Sequence, residues 1–330
     1  MLVFALKRLL NAVGVMLAVA LIAFVCFRFV GDPVEMMLNE QATQQQRSDL
    51  RERLGLNRSM PEQYLAFVAN AARGDFGISY RNQQDVFPLI AERFPATFEL
   101  VIVATLISLL LGLPLGVYTA LNRRAPLAQF LQLVSVFGVS LPSFAVGILL
   151  ILVFSVSLGW LPAFGRGQVV DLGFWSTGLL TRSGLTALIL PAVTLSLFQV
   201  TLVMRLVRAE MLEVMRTDFV RFARARGLPE RSVRFRHALR NCLMPVITVT
   251  GLQIGNLIAF ALVTETVFQW PGMGLLFVQA VSFVDIPVMA AYLMVVSAVF
   301  VGVNMLVDLT YGLVDPRLRQ DAVAGGSHGR

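Results

Sequence analysis

Residues 217–241 read TDFVRFARARGLPERSVRFRHALRN, an arginine-dense polar stretch between two long apolar runs. The flanking runs, residues 187–207 and 242–264, are each long enough to cross a bilayer as a helix. Most connections between secondary-structure elements are only a few residues long. We call residues 217–241 the platform, and we expect it to hold a partner.

Helix start and stop signals divide the platform into two short helices. Thr217 or Asp218 can cap a first helix that continues to Arg226. Gly227 favours the end of that helix, because glycine adopts positive φ with little strain. Pro229 can occupy the first turn of a second helix, which leads into the following apolar run. The platform is therefore predicted to be structured.

The composition is that of a membrane protein. Hydrophobic residues make up 57% of the chain and charged residues 14%, a more apolar and less charged balance than in soluble domains. The first apolar run is longer than the core of a cleaved signal, so we predict that it is retained as a span. We predict an all-α membrane protein with six transmembrane helices, at residues 9–30, 97–121, 130–156, 187–207, 242–264 and 288–313.

The placement of the positive charges predicts the orientation in the membrane. The formal net charge is +7, and the basic residues cluster beside alternate ends of the spans instead of forming a nucleic-acid surface. Lys7 and Arg8 precede the first span, Arg123 and Arg124 follow the second, and eight arginines lie between residues 216 and 240. The positive-inside rule then places both termini and the platform in the cytoplasm.

The segment between the first two spans is predicted to be an extracytoplasmic helical cap. Thr43 can cap a helix that Gly55 ends, and Pro61 can open a second helix. That second helix carries an apolar stripe made of Tyr64, Phe67, Val68 and Ala71. Two interpretations are open: a docking or gating surface, or a lid over helix ends. The predicted organisation is 1–30 for the N-terminus and first span, 31–95 for the cap, 96–313 for the transmembrane core with the platform, and 314–330 for a cytoplasmic tail.

Proline and glycine interrupt the second and third predicted spans. Pro114 and Pro142 each remove a backbone hydrogen bond and favour a kink, which membrane neighbours tolerate. Glycines in the same spans allow close approach between helices. Two interpretations are open: the residues serve packing alone, or the kinked helices line a pathway that opens and closes.

The chain lacks the residues that several common activities require. Lys7 is its only lysine, so it carries no Walker-type phosphate loop. Its histidines, His237 and His328, lack metal-ligand spacing, and no nucleophile-elbow or Cys–His pattern is present. The centres of the predicted spans are uncharged, which disfavours ion-coupled transport. We predict a protein that is not an enzyme, has no cofactor or metal of its own, and draws energy from another subunit.

The first platform helix is predicted to carry an apolar ridge. Phe219, Phe222 and Ala223 share one face at i, i+3, i+4 spacing, and Arg221 and Arg224 fall on another. Such a ridge suits the lipid interface or a groove on a partner protein. The early glycine favours the groove, because an interfacial helix normally runs longer. The arginines also have a simpler interpretation, as determinants of topology and contacts to anionic lipid heads.

The platform resembles the cytoplasmic signature of bacterial ABC-transporter permeases, in the version found in dipeptide, oligopeptide and nickel importers. The broad signature is Glu-Ala-Ala, three residues and Gly, and here Arg221, Phe222 and Ala223 occupy the first three places and Gly227 the last. The missing Glu and the extra Phe are a departure that peptide-type permeases share, with a run similar to ARARGL at residues 223–228. HALRN and MP follow, at 237–241 and 244–245.

Further motifs of that family occur in the expected order along nearly the whole chain. They are GDP (31–33), LGLN (54–57), GDFGIS (74–79), FPATFEL (94–100), MLEVM (211–215), TETVFQWPGMG (264–274) and DLTYGLVDPRLR (308–319). The long segment after the first span resembles the first-named permease of the pair.

The resemblance implies a type I ABC importer permease in the bacterial inner membrane, one of two membrane subunits that form a translocation pathway. The implied partners are a second homologous permease subunit, two ATPase subunits, an extracytoplasmic substrate-binding protein and membrane lipid, with no nucleic acid. ATP and Mg would bind to the ATPase subunits and not to this chain. The residues implied to couple to the ATPase are Asp218, Phe219, Phe222, Ala223, Ala225, Arg226, Gly227, Leu228 and His237.

Two questions stay open at this point. The alternative function is a self-sufficient secondary transporter or channel with a regulatory cytoplasmic platform. The substrate is also open, because permeases with this signature serve dipeptides, longer peptides, nickel chelates, glutathione and some sugars.

Overall fold

In a computed structural model the chain is predominantly helical. The structure describes residues 2–28, 34, 38, 43–53 and 55–314. The helices are α1 (Leu2–Arg28), α2 (Gln44–Arg53), α3 (Met60–Ala72), α4 (Val86–Leu121), α5 (Pro126–Ser140), α6 (Ser143–Leu150), α7 (Arg182–Val214), α8 (Asp218–Ala225), α9 (Leu239–Val267), α10 (Met273–Ser282) and α11 (Ile286–Val314). Two π-helical segments, π1 (Ile151–Ser157) and π2 (Ser232–Ala238), continue α6 and precede α9. A two-residue antiparallel ribbon pairs β1 (Val170–Asp171) with β2 (Ser176–Thr177).

The chain divides into two compact units. One consists of Met1–Pro95 with Pro271–Arg330, and the other consists of Ala96–Trp270. Helices α1 and α11 pack together in the first unit, and α7 packs against α5, α6 and α9 in the second. The second unit also contains the whole platform.

Within the described residues, five helices are long and apolar enough to cross a membrane. They are Arg8–Val25, Val86–Leu121, Arg182–Val214, Ser232–Val267 and Ile286–Val307. They correspond to all of the predicted spans except the third. The second span was expected to open near Pro95, but its helix already begins at Val86 and contains that proline.

The third predicted span, residues 130–156, is divided into two shorter helices. Helix α5 ends at Ser140, and α6 begins at Ser143 after an extended Pro142 with φ −59° and ψ 134°. The carbonyl of Pro142 accepts hydrogen bonds from Ala145 N and Val146 N, at 3.0 and 3.2 Å, and so starts the new helix. Proline has no N–H to donate and disfavours a helical residue before it, which explains a break at this place.

Helices α4 and α7 pack closely through two glycines of α4. A Cβ atom on Gly112 would lie 2.7 Å from Val203 Cγ1, and one on Gly116 would lie 2.6 Å from Val207 Cβ. These distances are too short for any side chain, so the two helices have a separation that glycine alone permits. Both valines belong to one buried cluster with Val246 of α9. The glycines of the second predicted span therefore serve close packing.

The cap helices form as their start and stop signals predict. Thr43 N donates to Gln46 Oε1 and Gln46 N donates to Thr43 Oγ1, at 2.9 and 3.3 Å, so the two residues cap α2 reciprocally. Gly55 follows that helix with φ +66°. Ser59 and Glu62 form a second capping box at the start of α3, with Pro61 at its first turn. The GDP motif at residues 31–33 and the predicted tail after Val314 lie outside the described residues.

The apolar stripe of α3 faces α1. Rings of Tyr64 and Phe67 lie 5.8 and 6.2 Å from the ring of Phe24, measured between centroids. The Tyr64 hydroxyl donates to the backbone carbonyl of Leu17 at 2.9 Å. The stripe that the sequence predicts therefore has a partner within its own unit.

The turn after α3 is fastened to the loop between α10 and α11. Asp285 Oδ2 accepts a hydrogen bond from Ser79 Oγ at 2.5 Å, and Asp285 Oδ1 accepts one from Tyr80 N at 3.0 Å. Arg81 stacks on the ring of Phe283, with its guanidinium carbon 3.7 Å from the ring centroid. These contacts join segments about 200 residues apart and hold the end of the cap in place.

Candidate functional site

The first platform helix begins where the sequence predicts and ends one residue earlier, at Ala225. Thr217 is its N-cap residue, with an extended backbone, but its hydroxyl donates back to the Val214 carbonyl at 2.7 Å and does not cap α8. Gly227 has φ +74° and its N–H donates to the Arg224 carbonyl at 2.9 Å. Leu228 N donates to the Ala223 carbonyl at 3.4 Å, which completes a Schellman end.

One face of α8 is buried and anchors the helix. Val220 and Ala223 lie in an apolar cluster with Met211 of α7 and with Val233 and Cys242. Ala223 was predicted to share an exposed ridge with the two phenylalanines, and that part of the prediction is wrong. Val220 lies three residues before Ala223, so the two side chains lie on the same side of the helix and together form its buried face.

An adjoining, exposed face of α8 presents two aromatic side chains. Phe219 is 49% exposed and Phe222 is 63% exposed. The Arg226 guanidinium lies 5.8 Å from the centroid of the Phe222 ring. Phe219 meets the ring of His237 edge-on, with centroids 5.9 Å apart. We call Phe219 and Phe222 the aromatic ridge; it lies on a helix whose other face is fixed to the core.

Glu230 connects the two helices of the platform. Its carboxylate accepts hydrogen bonds from Arg224 Nε at 2.7 Å and from Arg234 Nε at 3.1 Å. The hydrogen bond from Arg224 is the largest cause that lowers the pKa of Glu230 below its ordinary value. All three side chains are about half exposed, so the bridge orients the helices more than it stabilises them.

The remaining predicted residues have distinct positions. Asp218 is exposed and pairs with Arg221 at 3.2 Å, one turn along the helix. Ala225 is exposed beside the Arg226 cap, and Leu228 is 38% exposed just after the glycine. His237 lies at the end of π2, which leads into α9 as the sequence predicts. The structure thus brings His237 to the aromatic ridge and leaves Asp218 with Arg221.

Sequence reasoning missed two residues of the platform. Val220 is fully buried, and a signal for it was its position three residues before Ala223. Glu230 lies four residues before Arg234, the spacing of a helical ion pair, and it also reaches Arg224 across the glycine. The ion pair of Glu230 with Arg234 is predictable from the spacing of the two residues. The ion pair of Glu230 with Arg224 depends on how the two platform helices pack against each other.

A buried ion pair lies elsewhere in the same unit. Arg166 Nη2 contacts Glu99 Oε2 at 2.7 Å, and the two side chains are 7% and 4% exposed. Trp175 Nε1 and Gly178 N also donate to the Glu99 carboxylate, at 3.3 and 3.4 Å. The pair attaches the connection between π1 and α7 to α4. The sequence located Glu99 near the end of a span but gave no sign of its partner.

Within the described residues, no group of three His, Cys, Asp or Glu side chains converges as a metal site would require. The exposed groups of the platform are mainly aromatic rings and guanidinium groups, together with the carboxylates of Asp218 and Glu230.

Two family profiles match the chain in succession. Residues 112–320 match the family described as "Binding-protein-dependent transport system inner membrane component", and residues 1–101 match the N-terminal part of such membrane components. The first match includes the entire platform.

Relatives of known name are similar over almost the whole chain. The di/tripeptide transport system permease DppB of Pseudomonas aeruginosa is 40% identical, over 97% of this chain and 99% of that protein. The dipeptide transport system permease DppB of Alkalihalophilus pseudofirmus is 36% identical, over 97% of this chain and 100% of that protein. The oligopeptide transport system permease AppB of Bacillus subtilis is 37% identical, over 96% and 98%.

A solved structure shares the fold. A chain of the MetNI methionine ABC transporter, in an inward-facing conformation, superimposes with a TM-score of 0.55 and 16% identity. The similarity covers 69% of this chain and 96% of that one. At this identity the likeness concerns the fold alone.

Proposed function

The chain belongs to the family of binding-protein-dependent transport system inner membrane components, as a permease subunit of an ABC importer, and from this premise we propose that it forms half of a peptide pathway driven through its platform. It is a multi-pass protein of the inner membrane and a non-catalytic subunit of its transporter. Its named relatives transport dipeptides, tripeptides or oligopeptides, which supports a peptide as the solute.

The proposal for coupling rests on the two-faced helix α8. Both rings of the aromatic ridge are exposed. Burial of each ring in a groove of a partner would contribute about 2 kcal/mol to the free energy of binding. The adjoining face is held by Val220 and Ala223 in the core, so a force on the ridge is transmitted to α7 and α9. An ATPase subunit with an apolar groove is the partner that fits this arrangement.

The remaining partners follow from the same proposal. A second, homologous permease subunit completes the pathway, two ATPase subunits bind ATP and Mg, and an extracytoplasmic protein delivers the peptide. ATP binding brings the ATPases together and shifts the permease pair between inward- and outward-facing states. In this proposal α8 transmits the movement of the ATPase subunit to the spans, and the spans form part of the wall of the pathway. The nucleotide binds to the ATPase subunits.

The test is reconstitution of the chain with its second permease and ATPase subunits in vesicles. Phe222→Ala should weaken ATPase association about 30-fold, the effect of losing an interface residue worth about 2 kcal/mol. The matched control is Phe300→Ala, which removes a partly exposed ring from α11. ATPase binding that is equal in both variants would count against the ridge. Peptide uptake without any ATPase subunit would instead favour a self-sufficient transporter.

A further inference from the structure

Two adjoining cavities lie at the end of the spans that carries the platform. The first is about 500 Å³, between the end of α4, the residues that follow it and α7. The second is about 700 Å³, between α5 and α7. Leu212 lines both, so the two cavities adjoin along α7. We call them together the arginine groove.

Basic side chains line the groove. Arg123 and Arg124 line the first cavity, and Arg205 and Arg208 line the second. Among the described residues that line either cavity, none carries a carboxylate. One further lining residue, Arg234, is already paired with a carboxylate of the platform.

Arg208 is fixed in position beside the other arginines of the groove. Its guanidinium is partly buried and lies within electrostatic range of Arg123. Its Nη1 donates to the backbone carbonyl of Thr119 at 2.7 Å, which fixes its head group at the end of α4. Like charges held together in this way are stabilised when an anion lies between them. The groove is therefore preorganised for a negative group.

The walls of the groove are apolar on the α5 side. Leu133 and Val136 line the second cavity and are 63% and 57% exposed, and Met204 lies opposite them on α7. An exposed apolar wall beside a basic pocket matches a molecule with a charged head and a hydrocarbon chain. A free phosphate would use the arginines but would leave the wall bare.

The position along α7 agrees with the headgroup region of the bilayer. This helix has 33 residues and is therefore about 50 Å long, whereas the hydrocarbon core is about 30 Å thick. Arg205 and Arg208 lie in the last turns before the helix ends at Val214. The positive-inside rule places this end in the cytoplasm.

We propose that the arginine groove binds an anionic phospholipid of the inner leaflet. Its phosphate lies among Arg123, Arg124 and Arg208, and one acyl chain follows Leu133 and Val136. The lipid neutralises the cluster and fills the space between α5 and α7 next to the platform. This site is separate from the aromatic ridge, and it requires no nucleotide or transported solute.

The test measures lipid retained by the purified full-length chain. The probe is phosphatidylglycerol added to detergent micelles, counted by native mass spectrometry, with phosphatidylcholine and inorganic phosphate as separate arms. Each of Arg123→Gln and Arg124→Gln should weaken phosphatidylglycerol binding about fivefold, and the double variant about 25-fold. The control Arg231→Gln removes the same charge from an exposed platform position outside the groove and should bind as the wild type does.

Four outcomes overturn the proposal. The double variant and the control could retain phosphatidylglycerol equally, which would leave the groove without a role. Phosphatidylcholine could bind as tightly as phosphatidylglycerol, which would exclude charge recognition. Inorganic phosphate at millimolar concentration could displace the lipid fully, which would make the site one for a free anion. ATPase subunits that displace the lipid in the assembled transporter would likewise identify the groove as a protein interface.

Discussion

Replacing Gly227 with valine isolates the contribution of one backbone angle to coupling. The residue has φ +74°, and a Cβ atom built there would meet no atom within 4 Å. The expected penalty is therefore conformational and not steric. A non-glycine residue in the left-handed region costs about 1–2 kcal/mol, and a β-branched residue lies at the upper end of that range.

The consequence is expected at the end of α8. The Schellman bonds from Gly227 N and Leu228 N hold the last turn of this helix, at 2.9 and 3.4 Å. A strain of about 2 kcal/mol changes the ratio of formed to frayed ends about 30-fold. Because Phe222 lies on this last turn, the aromatic ridge should lose its fixed orientation while the buried Val220 still holds the start of the helix.

The assay is ATP-driven peptide uptake in vesicles, normalised to the amount of inserted chain. Gly227→Val should lower uptake about tenfold or more without preventing insertion. Gly227→Asn is the matched control, because asparagine adopts positive φ several-fold more readily than valine, and it should retain most of the uptake. Uptake by the valine variant at the wild-type level would refute the reasoning. An equal loss in both variants would show that the added side chain, and not the backbone angle, is responsible.

Three further perturbations address other parts of the structure. Gly116→Val should destabilise the protein by about 1–3 kcal/mol, because it overpacks the α4–α7 contact, and the melting temperature in detergent should fall. Gly302→Val is the control: nothing lies within 4 Å of a Cβ atom there, so the melting temperature should change little. Glu99→Gln should lower the free energy of unfolding by about 3 kcal/mol, because it leaves the buried charge of Arg166 uncompensated. Adding Arg166→Met to this variant should recover part of the loss if the unpaired guanidinium causes it. Since the folded-state pKa of Glu230 is lowered, its bridge contributes stability above the ordinary carboxyl pKa and loses that contribution as the pH falls through the folded value. Melting temperatures from about pH 6 to about pH 3 should therefore fall more steeply for the wild type than for Glu230→Gln, and parallel curves would contradict this assignment.

Much of the local structure was predictable because it depends on single residues. Gly227 ends α8 and Gly55 follows α2, each with positive φ, as the glycines predict. The predicted platform helix, residues 218–226, differs from α8 by one residue, since Arg226 is its cap. Caps and glycine ends act within a few residues of the chain, so the sequence contains the necessary information.

The faces of short helices were less predictable. The i, i+3, i+4 rule grouped Ala223 with Phe219 and Phe222, yet Ala223 is buried and the rings are exposed. Eight residues make little more than two turns, and an alanine fits an apolar ridge as well as a core. The neighbours that α7 and α9 place against α8 determine which side is inside.

The sequence by itself determined five of the six apolar spans, the motifs of the family and the two helices of the platform, and it predicts the orientation in the membrane. These features depend on composition, charge placement and local backbone preference, which operate along the chain. The tertiary structure decided the partner of Glu99, the anchoring of α8 by Val220 and the contact of Arg208 with the Thr119 carbonyl. Those features join residues far apart in sequence, and a contact of that kind exists only after the helices have packed.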